Sequence, residues 1–379
     1  MNKLSNIIRT ARWDISLNCN LNCIHCCAEG FYNITDKNNI NSSYGDAEFA
    51  YDLLYKLRQN GITQLNILGK EPFLHPNINA ILQYACKLGF QVDITTNGTS
   101  IRDRDIEFLV SLGLRCIYFS IDGSSPAVND LIRGRGVFNK VISTLQKFQA
   151  EKKRQKSSLS INVNTTLTKI NSVDILNMVE LCSSNEVNFF KLSRLEPLGN
   201  ASRHLKYLFL KPAEEFEVAE RLIKIIPDYT ELKFDILSSK PKILEYFYRR
   251  YKTVFPVRIS GCKACIKEIY IDPFGNISPC PSTSLGFSTS DGNYKRYKIN
   301  IFEFQDNICK HPFYEEFKAT YPLVKETYKK YIPCNSCDYL ATICYPCPLG
   351  SSSIDKYNLE DLCSIADKKL SELNNRVGA

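Results

Sequence analysis

The sequence predicts an α/β protein: a partial (β/α)6 TIM-like barrel followed by a smaller cysteine-rich domain. Three observations carry this reading. Between residue 12 and about 200, short β-rich runs alternate with helical stretches, giving six strand–helix units. After Gly261 the texture changes to cysteine, proline, glycine and tyrosine with short strands. The 379 residues hold 16 cysteines, many of them gathered towards the two ends.

The strands of the barrel are expected at Trp13 to Leu17, Thr63 to Leu68, Gln91 to Thr96, Cys116 to Ile121, Leu159 to Leu167 and Asn188 to Leu195. The intervening helices are expected at Ala47 to Arg58, Ile78 to Lys87, Arg102 to Leu112, Val137 to Ala150 and Val173 to Ser183. Strand–helix alternation implies a parallel sheet with right-handed crossovers. Active residues of such barrels gather at the C-terminal strand ends. The cysteine loop after the first strand, Gly69 to Pro72, Asn97, Asp122 and Glu196 all fall there. Residues 212–259 read as a helical connector, with helices from Ala213 to Ile226 and from Pro241 to Tyr251. The organisation is therefore a barrel over 1–211, the connector, and a C-terminal domain over 260–379. The aromatic run Tyr246-Phe247-Tyr248 is expected either to pack the connector on the barrel or to line a groove beside it.

Composition excludes several classes. With 44% hydrophobic and 23% charged residues the chain is an ordinary globular sequence. It has no apolar run of about 18 residues and no apolar signal segment at its start, so it reads as cytoplasmic with no membrane partner. A disulfide framework does not suit a chain of this length without a signal, which leaves metal binding in a reducing compartment. The formal charge of +8 hints at an anionic partner, but the basic runs at 151–156 and 249–252 read as solvated helix faces, so no nucleic-acid partner is expected.

The most informative residues are Cys19, Cys23 and Cys26, in a C-x3-C-x2-C run. A fully protein-bound cubane cluster takes four cysteines, so three leave one iron open to a small molecule. Zinc knuckles usually pair two C-x2-C halves; Cys27 adjoins Cys26 and cannot easily close the same tetrahedron. At the other end lie Cys262, Cys265 and Cys280, then Cys334, Cys337, Cys344 and Cys347, then Cys363. Eight thiolates fill two further four-cysteine sites. Two zinc ribbons would use the same count. Cys86, Cys116 and Cys182 sit in apolar contexts and read as buried small hydrophobes. Cys27 and Cys309 have no assigned role.

The N-terminal spacing resembles the signature of the radical S-adenosylmethionine (SAM) superfamily, and the C-terminal spacing resembles the SPASM domain of two auxiliary clusters. The resemblance covers residues 12–201 and 260–365. It implies three 4Fe–4S clusters. Cys19, Cys23 and Cys26 would hold the one that binds SAM. Cys262, Cys265, Cys280 and Cys347 would hold the first auxiliary cluster, and Cys334, Cys337, Cys344 and Cys363 the second. It also implies SAM contacts at Gly69, Glu71 and Pro72, where Lys70 replaces the family's second glycine, and at Ser120, Asp122 and Arg133. Arg194 to Ala201 resembles a segment that closes around adenosine. His25 stands where the family usually has an aromatic residue. Loaded with such clusters, the chain would carry a net charge of about +3.

The activity implied is reductive cleavage of SAM to a 5′-deoxyadenosyl radical, which abstracts a hydrogen from a substrate carbon. A ribosomally made peptide is the first expectation, cross-linked or oxidised, with an auxiliary cluster accepting an electron. Only eleven residues precede Arg12, which leads us to expect a separate leader-binding protein or recognition by the barrel itself. A reductant such as flavodoxin or ferredoxin is implied. The alternatives are a sugar or aminoglycoside dehydrogenase or epimerase, which often has one auxiliary cluster, and an anaerobic sulfatase-maturing enzyme, whose aspartate base is replaced here by Pro281. A non-enzymatic electron carrier does not suit a cluster with an open iron beside Glu71.

Overall fold

The structure is a computed structural model, and it describes residues 8–28, 45–236, 241–252, 263–284, 287–288, 294–295, 299–303, 311–318, 334–340 and 362–377. Cys262, Cys309, Cys344 and Cys347 lie outside the described residues.

The six expected strands are present: β1 (Thr10–Ser16), β2 (Gln64–Gly69), β3 (Gln91–Thr96), β4 (Cys116–Ser120), β5 (Ser160–Leu167) and β6 (Phe189–Arg194). They pair in parallel and in chain order. The helices between them are α1 (Ala47–Gln59), α2 (Ile78–Lys87), α3 (Asp103–Ser111), α4 (Pro126–Arg133), α5 (Val137–Gln155) and α6 (Ile175–Ser184). Helix α4 was not expected from the sequence. Pro126 starts it at a position where the missing N–H costs nothing, and Gly134 ends it with φ +112°.

The sheet runs further than six strands. At one edge β7 (Lys233–Ile236), inside the stretch read as helical connector, pairs with β6. At the other edge β8 (Glu268–Ile271) pairs in parallel with β1 and is followed by antiparallel β9 (Asn276–Ser278). A short strand, β12 (Ile299–Asn300), completes a ten-stranded order of β12-β9-β8-β1-β2-β3-β4-β5-β6-β7, and β10 (Phe287–Ser288) pairs separately with β11 (Tyr294–Lys295). The barrel sheet is thus continuous with strands on the far side of the boundary expected near 255–260.

One face of the sheet is apolar and packs under the helices. Trp13, Ile67, Ile94, Ile117 and Ile161 form one in-register buried row. Phe119, Val163, Phe190 and Phe234 form the next. Phe119 meets Phe148 of α5 edge-on, with ring centroids 5.5 Å apart. Helix α5 buries Val141, Leu145 and Phe148 at helical spacing, and its basic last turn complements the helix dipole. Each such side chain contributes about 1.5–3 kcal/mol of burial. The opposite face carries polar rows. Ser120, Asn164, Lys191 and Asp235 share one, and Arg12, Asn66 and Asp93 another.

Short helices α7 (Asn200–Arg203) and α8 (Leu205–Leu208) follow β6, then α9 (Pro212–Ile225) and α10 (Pro241–Tyr251). Tyr246 and Phe247 are buried against Phe216 of α9, whereas Tyr248 is exposed. Two of the three rings therefore pack the connector. The C-terminal part adds α11 (Pro281–Ser284), α12 (Pro312–Lys318) and α13 (Leu362–Val377), the last lying on α10 and α9.

Gly123 follows the end of β4, where a Cβ would stand 2.4 Å from the backbone nitrogen of Asn129. We predict that Gly123→Ala costs about 2 kcal/mol or more in urea unfolding, because the start of α4 cannot approach the strand as closely.

Candidate functional site

The loop after β1 carries Cys19, Cys23 and Cys26 and has little regular structure of its own. Its shape is held from three sides. Helix α4 supplies backbone: the Ile24 N–H donates to the Ile132 carbonyl at 3.0 Å, and the Cys23 thiol lies 3.9 Å from the carbonyl of Arg133. Helix α7 supplies Asn200, whose amide donates to Asn22 Oδ1 at 2.7 Å and to the Cys23 carbonyl at 3.2 Å. The Ala201 N–H donates to the Cys26 carbonyl at 3.3 Å. The end of β3 supplies Asn97, whose amide donates to Asn20 Oδ1 at 2.9 Å and lies 3.8 Å from Cys19 Sγ. Sequence reasoning missed these asparagines as clamps, although Asn97 at a strand end and Asn200 within the Arg194 to Ala201 segment were both visible.

Beneath the loop is a buried charge cluster. Asp122 is fully buried, Arg133 Nε lies 2.6 Å from its Oδ2, and His25 Nε2 lies 2.9 Å from the same oxygen. The other oxygen accepts the Thr166 N–H at 2.7 Å. Burial alone would raise the Asp122 pKa; Arg133 and then His25 outweigh it, and the carboxyl is held at about 2. The residue inside the cysteine loop that departs from the family pattern, His25, is thus tied directly to Asp122. Its Nδ1 is buried with no hydrogen-bond partner among the described residues.

The Gly69-Lys70-Glu71-Pro72 strip runs beside the loop. Gly69 has φ +114°, and a Cβ there would meet the backbone of Asp14, Ile15 and Ser16 at 3.2 Å, so glycine is required. Lys70 does not have a positive φ, and lysine fits. The Glu71 N–H donates to the Asn18 carbonyl at 3.0 Å. The Glu71 carboxylate is fully buried and accepts from Thr96 Oγ1 at 2.7 Å, the Asn97 N–H at 2.7 Å and the Phe73 N–H at 3.1 Å. Burial pushes its pKa up against these hydrogen bonds. Ser120 is half-buried on the polar face of the sheet, two residues before Asp122.

Burial raises the Cys23 thiol to about 11 and also raises Cys19; Arg133 opposes the shift at Cys23, while Cys19 and Cys26 add to it. The three thiols lie close enough in the loop for each to feel its neighbours' charge. Among the described residues no group of three His, Cys, Asp or Glu side chains could hold a single metal ion. A cubane takes each cysteine on a different iron, so its ligands stand further apart than those of one ion, and the three-thiol donor set suits it. Cys27 is pushed up to about 12 by burial, then by Cys26, Glu196 and Asp14.

At the C-terminal end, Cys265 is buried beside β8 with φ +55°, and Cys280 precedes α11 with its carbonyl accepting from Thr283 Oγ1 at 2.8 Å. The Cys337 N–H donates to the Cys334 carbonyl at 3.3 Å, the same turn that joins Cys26 to Cys23. Cys363 is buried on α13. Lys242 of α10 feels the charge of Cys337 and pairs at 2.9 Å with Asp367, one turn beyond Cys363. Cys86 is half-buried, and Cys116 and Cys182 are buried, each with its thiol pKa raised first by burial.

An open parallel barrel with three cysteines clamped at the C-terminal mouth defines a class. Residues 13–182 match the model of the Radical SAM superfamily, and the chain carries a radical SAM domain. Members of that superfamily use SAM and a 4Fe–4S cluster. The chain is 25% identical over 360 residues to the antilisterial bacteriocin subtilosin biosynthesis protein AlbA of Bacillus subtilis, covering 94% of this chain and 70% of that protein. It is 24% identical over 308 residues to the mycofactocin maturase MftC of Mycobacterium tuberculosis, covering 78% and 71%. The SAM-bound crystal structure of Streptococcus suis SuiB superposes with a TM-score of 0.67 at 19% identity, over 94% of this chain and 76% of that one.

The depressed Asp122 pKa fixes a sign. Its stabilisation is present above the unfolded carboxyl value near pH 4 and is lost as pH falls towards 2. We predict that the metal-free chain loses roughly 2 kcal/mol from this group across that window, measured by urea unfolding at several pH values, and that Asp122→Asn flattens this loss. Arg133→Met, which strands the buried carboxylate, should cost about 3–5 kcal/mol at pH 7.

Proposed function

We propose that the chain is a radical SAM peptide maturase, acting on a ribosomally made peptide to cross-link or oxidise it. The observation that carries this is the three-thiol loop clamped at the mouth of an open barrel whose inner face is polar. A polar interior offers hydrogen bonds to a peptide backbone along its length. The AlbA and MftC relatives support the same reading through their biosynthetic roles. Pro281, at the start of α11, supplies no acid–base side chain where a sulfatase-maturing enzyme would need an aspartate. Eight C-terminal cysteines favour two auxiliary clusters over the one common in sugar-modifying enzymes.

Cys19, Cys23 and Cys26 would hold the SAM-binding cluster, which together with SAM supplies a deoxyadenosyl radical for hydrogen abstraction. Asp122, Arg133 and His25 fix the floor of the loop. Gly69 to Pro72 and Ser120 face the same mouth and would contact SAM. The fully buried Glu71 carboxylate commits three hydrogen bonds to its own chain, and it would act on the SAM ammonium through its charge and through the strip it anchors. The C-terminal cysteines would hold two auxiliary clusters that take up the surplus electron. The proposed setting is cytoplasmic, with flavodoxin or ferredoxin as reductant and with the peptide read either by a separate leader-binding protein or by the barrel itself. No helix among the described residues is long and apolar enough to cross a membrane.

Three cubanes predict about 12 iron and 12 sulfide per chain after anaerobic reconstitution. Replacing Cys19, Cys23 and Cys26 together by alanine should remove one third of both. Zinc at one or two per chain with only about four iron would refute the auxiliary-cluster assignment.

Glu71→Gln exposes a donor to the donors of Thr96 and Asn97 and removes the carboxylate charge. SAM affinity, read by equilibrium dialysis, should fall about tenfold or more with iron content unchanged. Unaltered affinity would remove Glu71 from the SAM site.

A further inference from the structure

The inner face of the barrel holds a cation that the proposed chemistry does not use. Lys191 sits on β6 between Phe190 and Leu192, both buried under the helices, so its side chain points to the opposite, polar face. It shares a register row with Ser120, Asn164 and Asp235. Ser120 lies just before Asp122, which places Lys191 in the row beneath the mouth. The sheet curls so that Lys191 feels charges from strands far away in the sheet order: Arg12 of β1, Lys263 just before β8 and Glu268 of β8, as well as Asp235 on the adjacent β7.

These five groups carry three positive and two negative charges and so leave an excess of positive charge around Lys191. Arg12 and Glu268 approach to 3.9 Å. Lys191 makes no hydrogen bond and no ion pair within 4 Å among the described residues, although Asp235 is its register partner. The side chain remains solvent-exposed, yet it is crowded enough that burial, with Arg12 and Lys263 adding to it, lowers its pKa against Asp235 and Glu268. The convergence of two further cations sets Lys191 apart from a lone surface lysine. A carboxylate entering the barrel would find an unpaired ammonium on the wall, and neutralising it would relieve the repulsion from Arg12 and Lys263.

We propose that Lys191 is a specificity-determining residue that receives a carboxylate of the substrate inside the barrel. The proposal rests on the peptide reading above: the carboxylate is an acidic side chain or the C-terminus of the peptide. Among the described residues no hydrogen bond or ion pair joins Lys191 to the cysteine loop, so its proposed role is to orient the substrate and not to hold the clusters.

The test is affinity selection by the anaerobically reconstituted holoenzyme with SAM, from two randomised hexapeptide libraries, one with free C-termini and one amidated, read by mass spectrometric sequencing. We expect acidic residues to be enriched about tenfold or more in both libraries if a side chain is bound. If the terminus is bound, members of the free-acid library should be retained over amidated ones by a similar factor. Either preference should persist in Lys191→Arg and vanish in Lys191→Met, with iron content and thermal midpoint showing that both variants are folded. Retained peptides with no carboxylate preference, or a preference unchanged in Lys191→Met, would overturn the proposal and leave the peptide reading standing. Retention of no peptide above an unrelated control protein would also overturn the proposal, since Lys191 then receives no carboxylate, and would leave the peptide reading resting on a leader-binding partner.

Discussion

A buried carboxylate organises the mouth of this barrel. Asp122 closes β4 in a place that water does not reach, and an isolated charge there would cost several kcal/mol. Arg133 from the end of α4, His25 from the cysteine loop and the Thr166 N–H of β5 converge on its two oxygens. The strand end, the helix and the cysteine loop therefore share one charge. Removing any partner leaves the others unsatisfied in a site of low polarity. The loop has few backbone bonds of its own, so its shape depends on this anchor and on the asparagine clamps at Asn97 and Asn200.

The same logic joins the C-terminal part to the barrel. Tyr270 of β8 donates its hydroxyl to Asp14 of β1 at 2.7 Å, both side chains being buried. β8 extends the sheet from the edge of β1, and α13 lies on α10 and α9 on the other side. The polar inner face, Cys265 before β8 and Cys363 on α13 are thereby parts of one framework. Cys265 sits three residues before the strand that adds to β1. The sheet that positions the loop after β1 thus also positions Cys265.

Much of this was legible in the sequence because it is local. The six strands and five of their helices follow from apolar patterning, and the cysteine spacing names the donor set directly. The departure at Lys70 resolves simply: the conformational demand falls on Gly69, and the next residue has an ordinary φ. Helix α4 carried a signal that went unread, a Ser-Pro pair at its start. Strand β7 fell in a stretch read as helical, and although short strands were expected after Gly261, that β8 joins β1 is decided by partners far along the chain; Tyr270 and Asp14 are 256 residues apart. The role of His25 was equally hidden. A histidine inside a cysteine loop reads as ordinary until Asp122 is seen opposite it.

The account stands on an open iron at the Cys19, Cys23 and Cys26 site that binds and cleaves SAM. The most direct measurement is chromatographic quantitation of 5′-deoxyadenosine after anaerobic incubation of the reduced, reconstituted chain with SAM. The account predicts formation that requires reductant and disappears in the triple cysteine-to-alanine variant even when the C-terminal cysteines still carry iron. Absence of 5′-deoxyadenosine from fully loaded, reduced protein, or its undiminished formation by that variant, would contradict it.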